Sequence, residues 1–329
     1  MPKYRAALPQ LEEGALFLTD AGLETTLLFW EGIDLPHFAA CELLRSDEGR
    51  DVLRSYFNRH AAVATRLGLG FVLDTATWRA NPDWTARLGY GSQEFERVNR
   101  SSVLLAQKVR RVWETDASRI VIAAVVGPRA GGYASSERQS AQEAADYHSW
   151  QIDIFADTEA DFISALTLNY SEEAIGITRA AQAAGMPVVI SFTVETDGRL
   201  ASGESISEAI SAVDIDSGWY PECFAINCAH PTHLAEGMWD DDAVRRRVRG
   251  IRANASRCSH AELDNSETLD DGDPEELGRQ LGELRRTNPQ LTMLGGCCGC
   301  DTRHIEAIGR SAVASGSAIG LPRIGAAAD

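Results

Sequence analysis

Short β-branched runs alternate with longer amphipathic stretches along the whole chain, and that rhythm limits the folds open to it. The apolar runs Leu16-Thr19, Phe71-Asp74, Ile120-Val126, Phe162-Leu166, Val188-Phe192, Phe224-Asn227, Gly250-Ala253 and Leu291-Leu294 have strand length and strand composition. Between them lie helical patterns such as Val52-Leu67, Ser92-Trp113, Ala141-Glu159 and Pro274-Arg286. Eight strands, each followed by a helical segment, over 329 residues predict one (β/α)8 TIM barrel spanning 1–329. A doubly wound sheet has the same alternation. It is disfavoured because Asp20-Ala21-Gly22-Leu23-Glu24 lacks the third glycine of a dinucleotide-binding turn. The polar, acidic stretch from Ser256 to Asp273 is expected to be a long loop after strand seven, either a lid or a solvated insertion.

Charge removes several function classes. A formal charge of -17 speaks against nucleic acid, which requires a positive surface. Apart from Lys3 and Lys108 the chain has no lysine, and neither ends a strand, which speaks against Schiff-base chemistry. No apolar run approaches the roughly 20 residues of a membrane span, and Met1 to Leu18 lacks the pattern of a signal peptide. A cytoplasmic protein without a membrane or nucleic-acid partner is the expectation; assembly with copies of itself is left open.

Seven cysteines, an odd number, do not read as a disulfide framework. Asn227-Cys228 follows the sixth run, and Gly295-Gly296-Cys297-Cys298-Gly299 follows the eighth. In a barrel both lie at the mouth where catalytic groups gather. Successive strand residues face opposite sides, so Cys297 and Cys298 can share one ion only if the backbone leaves strand geometry, which the flanking glycines permit. Three thiolates with one open position is the pattern of a catalytic zinc site. Spacing alone also allows inert cysteines or a redox disulfide between Cys297 and Cys298. His230 and His233 follow Cys228, but Pro231 reads as a helix start that carries His233 away. Cys300, Cys41, Cys223 and Cys258 read as structural.

At these residues the chain resembles the homocysteine S-methyltransferase family. Thr19-Asp20-Ala21-Gly22-Leu23-Glu24-Thr25 is similar to the family's opening Asp-Gly-Gly segment. Asp74-Thr75-Ala76-Thr77-Trp78-Arg79-Ala80-Asn81 resembles its Thr-Asn-Thr-Phe-x-Ala-Asn segment, and Val126-Gly127-Pro128 its Val-Gly-Pro. The resemblance implies zinc on Cys228, Cys297 and Cys298, a small-molecule thiol acceptor bound there, and a methyl donor such as S-methylmethionine or S-adenosylmethionine, with betaine behind them. It further implies Asp20 and Asn227 as catalytic or supporting groups. Asp20, Ala21, Gly22, Glu24, Thr75, Thr77, Trp78, Leu166 and Asn254 are the expected substrate contacts. The chain departs from the family at Leu166, where a glutamate usually helps hold the amino group of homocysteine. Either Asp20, Glu24 or Glu195 takes over, or the acceptor is a different thiol. A redox or metal-storing protein, and a zinc lyase or hydrolase with Asp20 as base, are the competing readings.

Overall fold

The computed structural model describes residues 1–132, 138–234 and 237–317. Eight parallel strands close into a barrel in sequence order: β1 Phe17–Leu18, β2 Gly70–Asp74, β3 Ile120–Val126, β4 Phe162–Leu168, β5 Val188–Phe192, β6 Cys223–Ala229, β7 Val248–Ala253 and β8 Met293–Gly296. Closure is made by β1 on β8, with Phe17 beside Met293 and Leu18 beside Leu294. Each strand is followed by a main helix: α1 Asp47–Leu67, α2 Ser92–Trp113, α3 Ala141–Ala156, α4 Ser171–Ala183, α5 Ile206–Ser217, α6 Asp242–Arg247, α7 Pro274–Thr287 and α8 Thr302–Ser317.

Helix starts follow from side-chain caps. Ser140 and Ser205 each form a capping box with the glutamate three residues on, and Asp273 accepts from Glu275 and Glu276 ahead of α7. The eighth strand starts two residues later than its apolar run. β8 begins at Met293 rather than Leu291 and takes in Gly295 and Gly296.

Side-chain alternation builds the interior. Val72, Ala123, Val189, Ala225, Phe17 and Met293 meet inside the barrel, whose N-terminal end is plugged by Leu8 with Tyr4 and Leu11 packed against it. Phe71, Ile122, Ile190 and Phe224 instead face the helices. Two residues beyond an inward position is again inward. Asp74 follows Val72, Ser191 follows Val189 and Asn227 follows Ala225. The floor is therefore apolar and the mouth polar.

One buried base has a consequence for stability. His60 on α1 is 1% exposed; its Nδ1 lies 2.9 Å from the Tyr56 carbonyl, and its Nε2 has no partner among the described residues. Burial lowers its pKa from 6.5 to about 4. A base with a depressed folded pKa contributes stability above its unfolded pKa and loses it as pH falls. Unfolding free energy should therefore drop by up to about 3 kcal/mol between pH 6.5 and 4 from this residue. Urea titrations at pH 7 and 5 should show a smaller acid loss in His60→Phe than in wild type; identical losses would discount it.

Candidate active site

Cys228 sits inside β6, one residue after the inward Asn227, where a regular strand would aim it at the helices. Its φ of 55° and the register shift between Asn227 and Ala229 mark a bulge that lets its side chain join the mouth. A left-handed conformation in a non-glycine residue costs about 1–2 kcal/mol, and the surroundings hold it. The Cys228 carbonyl accepts hydrogen bonds from Asn254 Nδ2 at 3.0 Å and His260 Nε2 at 2.6 Å. His260 Nδ1 lies 3.1 Å from Glu195 Oε1. Neither His260 nor this brace was foreseen; nothing local in the polar 256–273 stretch signals it.

Cys297 and Cys298 form a turn just past β8, closed by the Cys300 amide donating to the Cys297 carbonyl at 3.1 Å. Of the flanking glycines, Gly299 has the left-handed angle expected, with φ 79°. Gly295 and Gly296 are there for space instead. A Cβ on Gly295 would meet Thr19 Oγ1 at 2.0 Å, and one on Gly296 would meet Cys300 Cβ at 2.5 Å. Cys300 itself is buried and points its thiol at the Ala253 carbonyl.

The sulfur atoms of Cys228, Cys297 and Cys298 all lie within 4.8 Å of one another. Sulfurs sharing a tetrahedral ion would be about 3.8 Å apart, from metal–sulfur bonds near 2.3 Å, so the set suits a thiophilic metal. As bare thiols Cys297 and Cys298 resist ionisation. Cys297 is pushed up to about 12, first by its contact with Cys228, and Cys298 is raised well above an ordinary thiol for the same reason. A cation is what would let three thiolates share this space.

The trio opens on a cavity of about 570 Å³ that also has Asp20, Ala21, Gly22, Glu24, Thr75, Trp78, Leu166 and Asn227 in its walls. Two expected contacts are elsewhere. Thr77 is fully buried, its hydroxyl tied to Thr75 and to the Val125 carbonyl. Asn254 is behind Cys228 and braces it instead of meeting the cavity. Asn227 is held on both sides: its Oδ1 accepts from the Thr167 amide and Ser191 Oγ, and its Nδ2 donates to Thr167 Oγ1. It links β4, β5 and β6, and its partner Thr167 lies at the second bulge, φ 65°.

Asp20 is not a free carboxylate. Arg252 on β7 spans Asp20 and Asp74, one guanidinium nitrogen to each. All three side chains are at least nine-tenths buried. Burial pushes both carboxyls above their ordinary range, against the pull of Arg252. The guanidinium was missed in the sequence because Arg252 reads as one more surface-type residue in a weak strand. Inward register on β7 was the signal available. Glu24 differs from Asp20. Its carboxyl bonds its own backbone amide, and burial raises it to about 7.

The acidic segment is not a plain loop. It contains a short helix, His260–Asp264, started by a Ser259 capping box. Residues from Ser256 to Asp270 form one rim of the cavity. His233 lies away from the thiols, bonded to the Arg257 carbonyl. His230 lines a neighbouring recess with Arg257 and Asp270. Trp78 lies in the wall, but Arg79 covers its ring at 5.0 Å, while the described residues put no guanidinium over the exposed Phe29.

A closed parallel barrel with a three-thiol cluster at its C-terminal mouth belongs to the class of barrel proteins that place a candidate metal centre where barrel enzymes do their chemistry. The sequence model for homocysteine S-methyltransferase matches residues 17–312, and the chain belongs to that family. Homocysteine S-methyltransferase 4 of Zea mays is 25% identical over 260 residues, covering 73% of this chain and 75% of the maize protein. Two structures of the homocysteine methyltransferase MmuM from Escherichia coli share the fold at 18% identity. The oxidized form has a TM-score of 0.72 and covers 90% of this chain and 96% of its own. The metallated form has a TM-score of 0.69, with 91% and 96% covered. The protein is thus a methyltransferase-family enzyme acting on small molecules. No helix among the described residues is long and apolar enough to cross a membrane.

Proposed function

We propose that the protein moves a methyl group from a small onium donor to the sulfur of homocysteine, with Cys228, Cys297 and Cys298 holding zinc. The observation that carries this reading is the convergence of three thiols within 4.8 Å at the mouth of a homocysteine S-methyltransferase-family barrel. The metallated state named for the Escherichia coli enzyme supports a metal here. When bound, zinc on three thiolates would leave one position for the acceptor thiol and favour its deprotonated, nucleophilic form near neutral pH.

The chain's own residues supply position and shielding. The Asn254 and His260 hydrogen bonds fix the Cys228 backbone, and Asn227 ties β6 to β4 across β5. Phe29 offers an aromatic face to an onium cation entering the cavity. The short helix His260–Asp264 and the residues after it narrow access for water. S-methylmethionine and S-adenosylmethionine stand ahead of betaine as donors.

The test is a matrix assay on protein purified under reducing conditions. Homocysteine and simpler thiols are each offered with S-methylmethionine, S-adenosylmethionine and betaine. Methionine formation from homocysteine with a sulfonium donor is expected. Transfer confined to other thiols would move the acceptor, and no transfer in any combination would sink the reading.

A further inference from the structure

We infer that Glu24 receives the ammonium group of the acceptor amino acid. Granted homocysteine as the acceptor, as proposed above and on which this rests, an ammonium must enter the cavity a few bonds from the sulfur. A cation leaving water without an anionic partner pays a large desolvation cost. Among the described residues, the carboxylates lining the cavity are Asp20, Glu24, Asp74, Asp264 and Asp270. Asp20 and Asp74 are each bound to the buried Arg252. Asp264 and Asp270 are exposed on the rim, where water screens them. Leu166 makes the wall at the end of β4 apolar.

Glu24 remains, and its backbone is fastened to the cysteine turn. Gly22 donates its amide to the Cys300 carbonyl at 3.3 Å, and Gly299 donates its amide to Thr25 Oγ1 at 3.3 Å. The fit is close enough that a Cβ on Gly22 would stand 2.7 Å from the Cys297 carbonyl. A carboxylate carried between these two contacts shares the cavity with the thiols at a fixed offset. That suits a substrate with a sulfur at one end and an amino group near the other.

The test is calorimetric binding to zinc-loaded wild type, Glu24→Gln, Glu24→Asp and Asp20→Asn, with zinc content checked in each. The two probes are homocysteine and 4-sulfanylbutanoate, its analogue without the ammonium. Wild type should prefer homocysteine by about 10- to 100-fold, the range of a hydrogen bond to a charged group. Glu24→Gln should erase that preference and leave the analogue's affinity unchanged, while Glu24→Asp keeps part of it. An undiminished preference in Glu24→Gln, no preference in wild type, or a loss confined to Asp20→Asn would each overturn the assignment. A preference that depends on Glu24, in a protein that transfers no methyl group, would support the assignment and count against the function proposed above.

Discussion

On the function proposed above, replacing Cys298 by alanine is expected to abolish zinc binding and methyl transfer while leaving the barrel folded. The side chain is one of three sulfur donors lying within 4.8 Å of one another. Loss of an outer partner of a metal ligand typically costs 10–100-fold in affinity, so loss of a ligand itself should exceed about 100-fold. Two thiols and water make a poorer site than three thiols. Cys298 is half-exposed at the cavity, so truncating it opens little new void in the core. Exposed Cys258 supplies the control, and Cys258→Ala should keep both properties. The measurement is zinc per chain after purification under reducing conditions, with methyl transfer assayed on the same samples. Stoichiometric zinc and full transfer in Cys298→Ala would rule out the three-thiol site.

The second large effect belongs to Arg252. Arg252→Met removes the cation that two buried carboxylates share and leaves Asp20 and Asp74 facing each other across the mouth. Breaking a buried pair from one side typically destabilises by about 3–5 kcal/mol. The pH dependence has a definite sign. Without the guanidinium the folded-state pKa values of Asp20 and Asp74 rise further above those of the unfolded chain. Groups raised in this way contribute stability at low pH and lose it as pH increases through the folded values. Arg252→Met should therefore close part of its gap to wild type between pH 7 and pH 5 in urea unfolding. Adding Asp74→Asn should recover stability at pH 7 by removing one of the stranded charges. A single variant as stable as wild type at both pH values would show that the trio contributes nothing.

The two residues also explain how a barrel mouth so rich in acid stays foldable. Asp20 and Asp74 converge with three cysteines on one small volume, and Arg252 offsets the charge of the two carboxyls. The three thiols would become thiolates only beside a metal ion, which would offset their charge.

Much of this was legible from residues alone, because strands, helices and turns are written in local patterns. Apolar runs of strand length alternating with amphipathic stretches specify βα units; eight of them over this length suit a barrel, and the missing third glycine after the first run turned the reading from a doubly wound sheet to the closed barrel observed. The pairing of Asn227-Cys228 with Cys297-Cys298 was visible because both lie at the C-terminal ends of strands that meet the same rim. The errors cluster where the backbone breaks its own period. Cys228 belongs to β6, and its bulge could not be read from a run that looks regular. Thr77 and Asn254 occupy motif positions, yet one hydroxyl is spent inside the sheet and one amide behind the cysteine.

The partners decided by tertiary structure are those far apart in the chain. Arg252 meets Asp74 across 178 positions and Asp20 across 232, and His260 reaches Cys228 from a segment whose composition reads as solvated loop. Local sequence sets which face a side chain takes and where an element ends, since those depend on the period of the backbone. Which polar groups then neutralise one another depends on register and closure of the whole sheet, a long-range outcome that no window of sequence contains.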